Sequence, residues 1–150
     1  EALVPRRVSL LALERTSVAM LGPSFAAALE RWPALHDALL DRAMRHCAWL
    51  STEHALCQLG NVDERLLVLF WHLAERWGRV VPGGVAVPLP LSHATLGHLA
   101  GARRPTVTLA LKRLCADGRL TRRSDRTWIV RGRPPEALRR PAARRAAAVR

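Results

Sequence analysis

Hydrophobic and polar positions recur along this chain with more than one period, and each change of period marks a new element. Val8–Leu13 and Thr16–Leu21 are two β-favouring runs on either side of Glu14-Arg15, the pattern of a β-hairpin or of two adjacent strands. Two strands alone rarely hold together, so they read as the end of a larger sheet. Gly22-Pro23-Ser24 is a breaker followed by a capping residue, which predicts a short helix from Ser24 to Arg31. Pro33 suits the first turn of a second helix, and no Pro or Gly follows until after Leu59. Along that stretch His36, Leu40, Ala43, Cys47, Leu50, His54 and Cys57 alternate spacings of four and three, and Leu39 and Met44 widen the stripe. This is the spacing of a coiled-coil seam and fits packing against a second copy of the chain. The alternative is a helix packed on its own domain.

Gly60-Asn61 ends the long helix, and Asn61 or Asp63 caps the next, DERLLVLFWHLAERW, which runs to about Trp77. Its apolar positions 66, 67, 69, 70, 73, 74 and 77 predict a broad buried face,. Gly78 closes it, Pro82-Gly83-Gly84 is a turn, and Val85–Leu89 a short strand. Ser92–Ala100, SHATLGHLA, reads as a short helix capped by Ser92, with Leu96, Leu99 and Ala100 inward. Gly101 breaks it, and Arg103–Asp117 forms a second helix with Val107, Ala110, Leu111 and Leu114 on one face.

Helix, short glycine-containing turn, helix is the helix-turn-helix pattern. Its second helix points its N-terminal end outward, where it can enter a major groove. That end carries Arg103, Arg104, Thr106 and Thr108, with Lys112 and Arg113 one turn further on. After Gly118, strands at Leu120–Arg123 and Arg126–Val130 around Ser124-Asp125 make a wing, with Arg122, Arg123 and Arg126 near its tip, where phosphates pass. The fold class is therefore mainly α with a small β part: a long helix followed by a winged helix-turn-helix domain.

Charge sharpens this picture. Residues 1–102 hold nine arginines and nine acids, so residues 103–150, with fifteen basic and three acidic residues, carry the whole net charge of +12. A neutral half joined to a strongly basic half points to a polyanion partner for the second. The alternative is a solvated arginine-rich surface, Lys112 being the only lysine. Residues 132–150 are rich in Arg and Pro and poor in large apolar side chains, which predicts a disordered basic tail.

The segment Val62–Val130 resembles the C-terminal domain of the Crp–Fnr family of bacterial regulators. The likeness is carried by VDERLLVLFWHLAERWG, by LPLSHATLGHLAGARRPTVTLALKRLCADGRL, and by the wing ending in TWIV. Val8–Leu59 is similar to that family's last β-roll strands and dimerisation helix. The resemblance implies four parts: residues 1–22, a remnant of the sensor β-roll; 23–60, a short helix and the dimerisation helix; 61–131, the winged domain; and 132–150, the tail. Most of the family's cyclic-nucleotide-type sensor is absent from this chain, and Glu1 in place of Met indicates processing or truncation.

The resemblance further implies a cytoplasmic homodimer on a palindromic operator in double-stranded DNA, with RNA polymerase as a further partner. Leu40, Ala43, Cys47, Leu50 and His54 would form the dimer contact. Arg104 matches the arginine that contacts guanine, Thr106 a phosphate-contacting position and Lys112 a basic position. Pro105 and Leu109 stand where many members read bases with Glu and Arg, so the best-known operator of the family does not carry over.

Other chemistry finds little footing. Cys47, Cys57 and Cys115 are odd in number and widely spaced, which argues for a reducing compartment and against both a disulfide framework and a metal site. His93 and His98 are five apart and share a helix face poorly. Ser51-Thr52, near where some family members touch a cyclic nucleotide, read as solvated residues. No cofactor is therefore expected; a cyclic nucleotide or other effector would need the missing sensor part. No nucleophile motif, paired carboxylates or glycine-rich phosphate loop indicates an enzyme, and no apolar run is long enough to span a bilayer. A winged-helix module that binds another protein is the alternative to DNA binding.

Overall fold

The fold is that of a computed structural model describing residue 12, residues 15–136 and residue 138. Its elements are α1 (Pro23–Leu29), α2 (Pro33–Cys57), α3 (Val62–Trp77), β1 (Arg79–Val81), β2 (Gly84–Val87), α4 (His93–Ala100), α5 (Arg104–Ala116), β3 (Leu120–Arg122) and β4 (Trp128–Val130).

The helix boundaries follow local chemistry. Pro33 sits in the first turn of α2, where a missing N–H costs nothing. Asn61 caps α3 by accepting the Asp63 amide at 2.9 Å. α3 is buried at eight consecutive positions, Leu66–Leu73, rather than on one face. The apolar stripe read from the sequence missed Val68, Trp71 and His72, while Ala74 is half-buried and Trp77 exposed. The reason is location: α3 packs against α5, α4, α2, β2 and β4, so it has no solvent face over that stretch. Phe70, Leu66 and Leu69 from α3 meet Leu96, Val107, Val87, Leu120 and Val130 in the centre of the core.

The four strands form one antiparallel sheet in the order β1-β2-β4-β3. The wing strands β3 and β4 pair with Leu120 opposite Val130 and Arg122 opposite Trp128. β4 also pairs with β2, Val85 opposite Val130 and Val87 opposite Trp128, so the wing is built onto the hairpin that follows α3. β1 is an edge strand that the sequence pattern did not reveal. Arg79, Val80 and Val81 lack the alternation of a half-buried strand, and Val80 is exposed.

Two expectations need correction. The strand expected at Thr16–Leu21 does not form: residues 15–22 have no regular structure, and Val18, Met20 and Leu21 are exposed. A strand needs a neighbour for its backbone groups, and none stands beside it among the described residues. Val8–Leu13, apart from Ala12, lies outside them. The tail expected from residue 132 is ordered at its start, because Leu138 is only 8% exposed and belongs to the core. Residues 137 and 139–150 lie outside the described residues.

Candidate nucleic-acid interface

α4 begins where the Ser92 hydroxyl accepts the Thr95 amide at 3.0 Å, as the sequence indicated. It ends at Gly101, whose φ of 59° and ψ of 42° are left-handed, the region glycine enters without strain. A second glycine makes the turn tight. A Cβ on Gly97 would stand 2.6 Å from the Ala102 carbonyl oxygen, and the Ala102 amide donates to the Gly97 carbonyl at 2.9 Å. The α4–α5 crossing thus requires Gly97 as much as Gly101. The only sequence signal for it was a glycine inside a helical pattern.

Arg65 of α3 braces this turn. Its guanidinium donates to the carbonyls of Ala100 and Gly101 at 3.3 and 3.2 Å and to that of Leu59 beyond α2. One side chain therefore joins the end of the long helix to the helix-turn-helix.

α5 starts at Arg104 with Pro105 in its first turn, and the capping residue Arg103 makes no side-chain cap. Val107, Ala110, Leu111 and Leu114 are buried, which turns Arg103, Arg104, Thr106, Leu109 and Lys112 outward. Thr108, expected among the outward residues, is half-buried and engaged. Its hydroxyl lies 3.0 Å from the Arg104 carbonyl and 2.9 Å from Nδ1 of His93. Arg113 is also occupied: it forms a two-pronged pair with the Asp63 carboxylate, each hydrogen bond 2.7 Å long. That pair holds the Asp63 carboxyl below its usual range, the Arg113 hydrogen bond being the main cause. It fixes the far half of α5 to the first turn of α3.

The wing turn spans Arg123–Thr127. The Arg123 amide donates to the Thr127 carbonyl and the Arg126 amide to the Arg123 carbonyl. Asp125 closes the turn by accepting the Thr127 amide at 2.9 Å, which lowers its carboxyl pKa. Arg126 adopts a φ of 68° at the tip, an uncommon conformation for a side-chain-bearing residue. Arg123 and Arg126 are exposed there, while the Arg122 guanidinium lies 5.3 Å from the centre of the Trp128 ring, within cation–π range. His93 completes the group. It is half-buried between α4 and α5, and burial first, then Arg122 and Arg104, hold its pKa below the ordinary 6.5. Nothing in the local pattern indicated His93, since its partner is fifteen residues away across the turn.

The residues read as a dimer contact lie away from this surface, along α2. Leu40, Ala43, Cys47, Leu50 and His54 are all exposed. Trp49, Leu56 and Cys57 hold the helix to the winged body instead, Trp49 by stacking on His72 with ring centres 3.4 Å apart.

A family model described as the Crp-like helix-turn-helix domain matches residues 64–140, just over half of the chain. The chain belongs to the Crp–Fnr family. Its matched region runs past the wing and takes in Leu138. Among solved structures, this Crp–Fnr chain is similar to a CooA mutant from Carboxydothermus hydrogenoformans, with 21% identity and a TM-score of 0.65, covering 77% of this chain and 52% of that one. It is similar to CprK in complex with OCPA at 21% identity and a TM-score of 0.59, covering 77% of this chain and 52% of that one. A Crp-family transcriptional regulator from Thermus thermophilus matches at 20% identity and a TM-score of 0.55, over 72% of this chain and 53% of that one. These likenesses establish the shared fold, and the chain spans about half the length of each. No curated protein matches it.

Proposed function

We propose that this chain binds double-stranded DNA as a homodimer and regulates transcription, each α5 reading half of a palindromic operator. The observation that carries this reading is the outward row of Arg103, Arg104, Thr106 and Lys112 on a helix whose opposite face is core. Such a row can lie in a major groove while the body stays folded. Arg104 reads guanine, since its guanidinium can pair with O6 and N7 together. Thr106 and the wing residues Arg123 and Arg126 meet phosphates, which set register without reading sequence. The exposed α2 seam, Leu40 to His54, joins two copies. RNA polymerase is a further partner by family resemblance, and the cytoplasm is where such a regulator meets its chromosome. No helix among the described residues is long and apolar enough to cross a membrane. We assign no cofactor to these residues; a cyclic nucleotide or other effector would act through a sensor part.

Arg104→Ala tests the reading. Binding to an operator selected from random sequence should weaken by about 1–3 kcal/mol, with preference relaxed at one base pair. Binding to mixed-sequence DNA should change much less. Equal weakening on both would remove Arg104 from base readout. Affinity for DNA that does not fall with added salt would favour the protein-binding module instead.

A further inference from the structure

His93 is bonded to α5 and lies within electrostatic reach of the wing. It stands at the start of α4, its Nδ1 is 2.9 Å from the Thr108 hydroxyl of α5, and the charged groups facing it are Arg104 from α5 and Arg122 from β3. The Thr108 hydroxyl is 3.0 Å from the Arg104 carbonyl, which can only accept. Its hydrogen goes there, so its oxygen accepts from His93, and the neutral imidazole carries its proton on Nδ1. Nε2 then bears a lone pair, which cannot donate to a phosphate. Protonation gives Nε2 a hydrogen without disturbing the Thr108 bond.

We propose that His93 is a proton-linked phosphate ligand: held by Thr108 of α5, its ring binds a DNA phosphate through Nε2–H only as the imidazolium. This rests on the DNA-binding reading above, because the anion it needs is the one that α5 and the wing receive. In free protein, burial and the two arginines disfavour the imidazolium. A phosphate beside the ring offsets the repulsion from Arg122 and supplies an acceptor. Binding therefore takes up a proton, and affinity rises as pH falls from the bound-state pKa towards the lower free-state pKa. Outside that window the protonation state is the same in both states and the dependence vanishes.

Because phosphate contacts are independent of sequence, a mixed-sequence DNA duplex is a sufficient probe. Affinity of the full chain should be measured from about pH 8 to about pH 5, the interval over which histidine titrates. The wild-type chain should gain up to about tenfold per pH unit within the window, the limit for one proton. Its dependence of log affinity on log salt should steepen by about 0.9 at low pH, as for one added phosphate contact. His93→Gln, whose amide does not titrate, should lose most of the pH response. His93→Lys, charged throughout, should bind with the steeper salt slope at every pH. Melting temperatures of both variants identify any that fail to fold, and the remaining variant then decides. Equal pH responses in wild type and a folded His93→Gln chain would overturn the proposal and leave DNA binding standing. Absence of duplex binding at every pH would overturn both.

Discussion

α2 and α3 are consecutive helices with opposite relations to the rest of the molecule. α3, with sixteen residues, is buried at eight consecutive positions and touches both other helices of the winged body and its sheet. α2 is longer, with twenty-five residues, yet only Leu56 is buried. Leu40, Met44 and Leu50 remain 56%, 62% and 48% exposed. Helices in folded proteins gain most of their stability from packing an apolar face. α3 has that packing within the chain, whereas Leu40, Ala43, Cys47, Leu50 and His54 of the α2 seam stay exposed among the described residues. The winged body thus carries its own core, and the long helix presents an exposed apolar stripe, the surface of the proposed dimer.

Breaking each helix should separate these roles. The largest effect is expected in α3. Phe70→Ala removes a fully buried ring that lies 5.2 Å from Trp128, and should cost about 3–5 kcal/mol in denaturant unfolding. A loss below about 1 kcal/mol, the size of a typical surface change, would mean that the core does not depend on it.

The seam should respond in assembly rather than in the fold of the winged body. With Leu40→Asp and Leu50→Asp together, sedimentation should report a monomer. Operator affinity should fall by at least about a hundredfold as the second half-site loses its tethered reader. Unchanged mass relative to a wild-type dimer would refute a dimer through α2.

The contact joining the two regions can be titrated. Burial pushes the His72 pKa down from 6.5 to about 4. The unfolded chain therefore binds a proton that the folded chain refuses over this range. Stability should be full above 6.5, fall as pH drops, and level off below about 4, with about 3 kcal/mol at stake. His72→Gln should flatten that part of the curve; an identical curve would assign the acid sensitivity elsewhere.

The smallest effect is expected beyond the core. Truncation after Leu138 removes five arginines but leaves the buried leucine. Stability and operator preference should be kept. The salt slope of DNA affinity should flatten by about 0.9 for each phosphate no longer neutralised, and an unchanged slope would leave these arginines without a part in binding. Truncation after Arg131 should instead cost stability, because Leu138 leaves the core with it.

What could be read along the chain was local. The Ser92 cap, the Gly101 turn, the buried positions of α5 and the outward Arg103 and Arg104 are consequences of backbone preference and helical period, and the structure places them as expected. The same reading could not separate Thr108 and Arg113 from their neighbours on α5. Polar residues at one spacing look alike until the facing element is known, and here His93 holds one and Asp63 the other. The edge strand β1 escaped because three residues beside a turn carry almost no period.

The sequence by itself determined the order of helices, the helix-turn-helix and its basic outward end, because each depends on residues within a few positions of one another. Only the tertiary structure decided that β4 joins β2 as well as β3, that α3 is buried on all sides from Leu66 to Leu73, that Leu138 returns to the core, and that His93 meets Thr108 across the turn. Those outcomes depend on which distant surfaces meet. A one-dimensional pattern records how apolar or charged a position is, while the fold supplies the neighbour that makes the position buried, paired or free to bind.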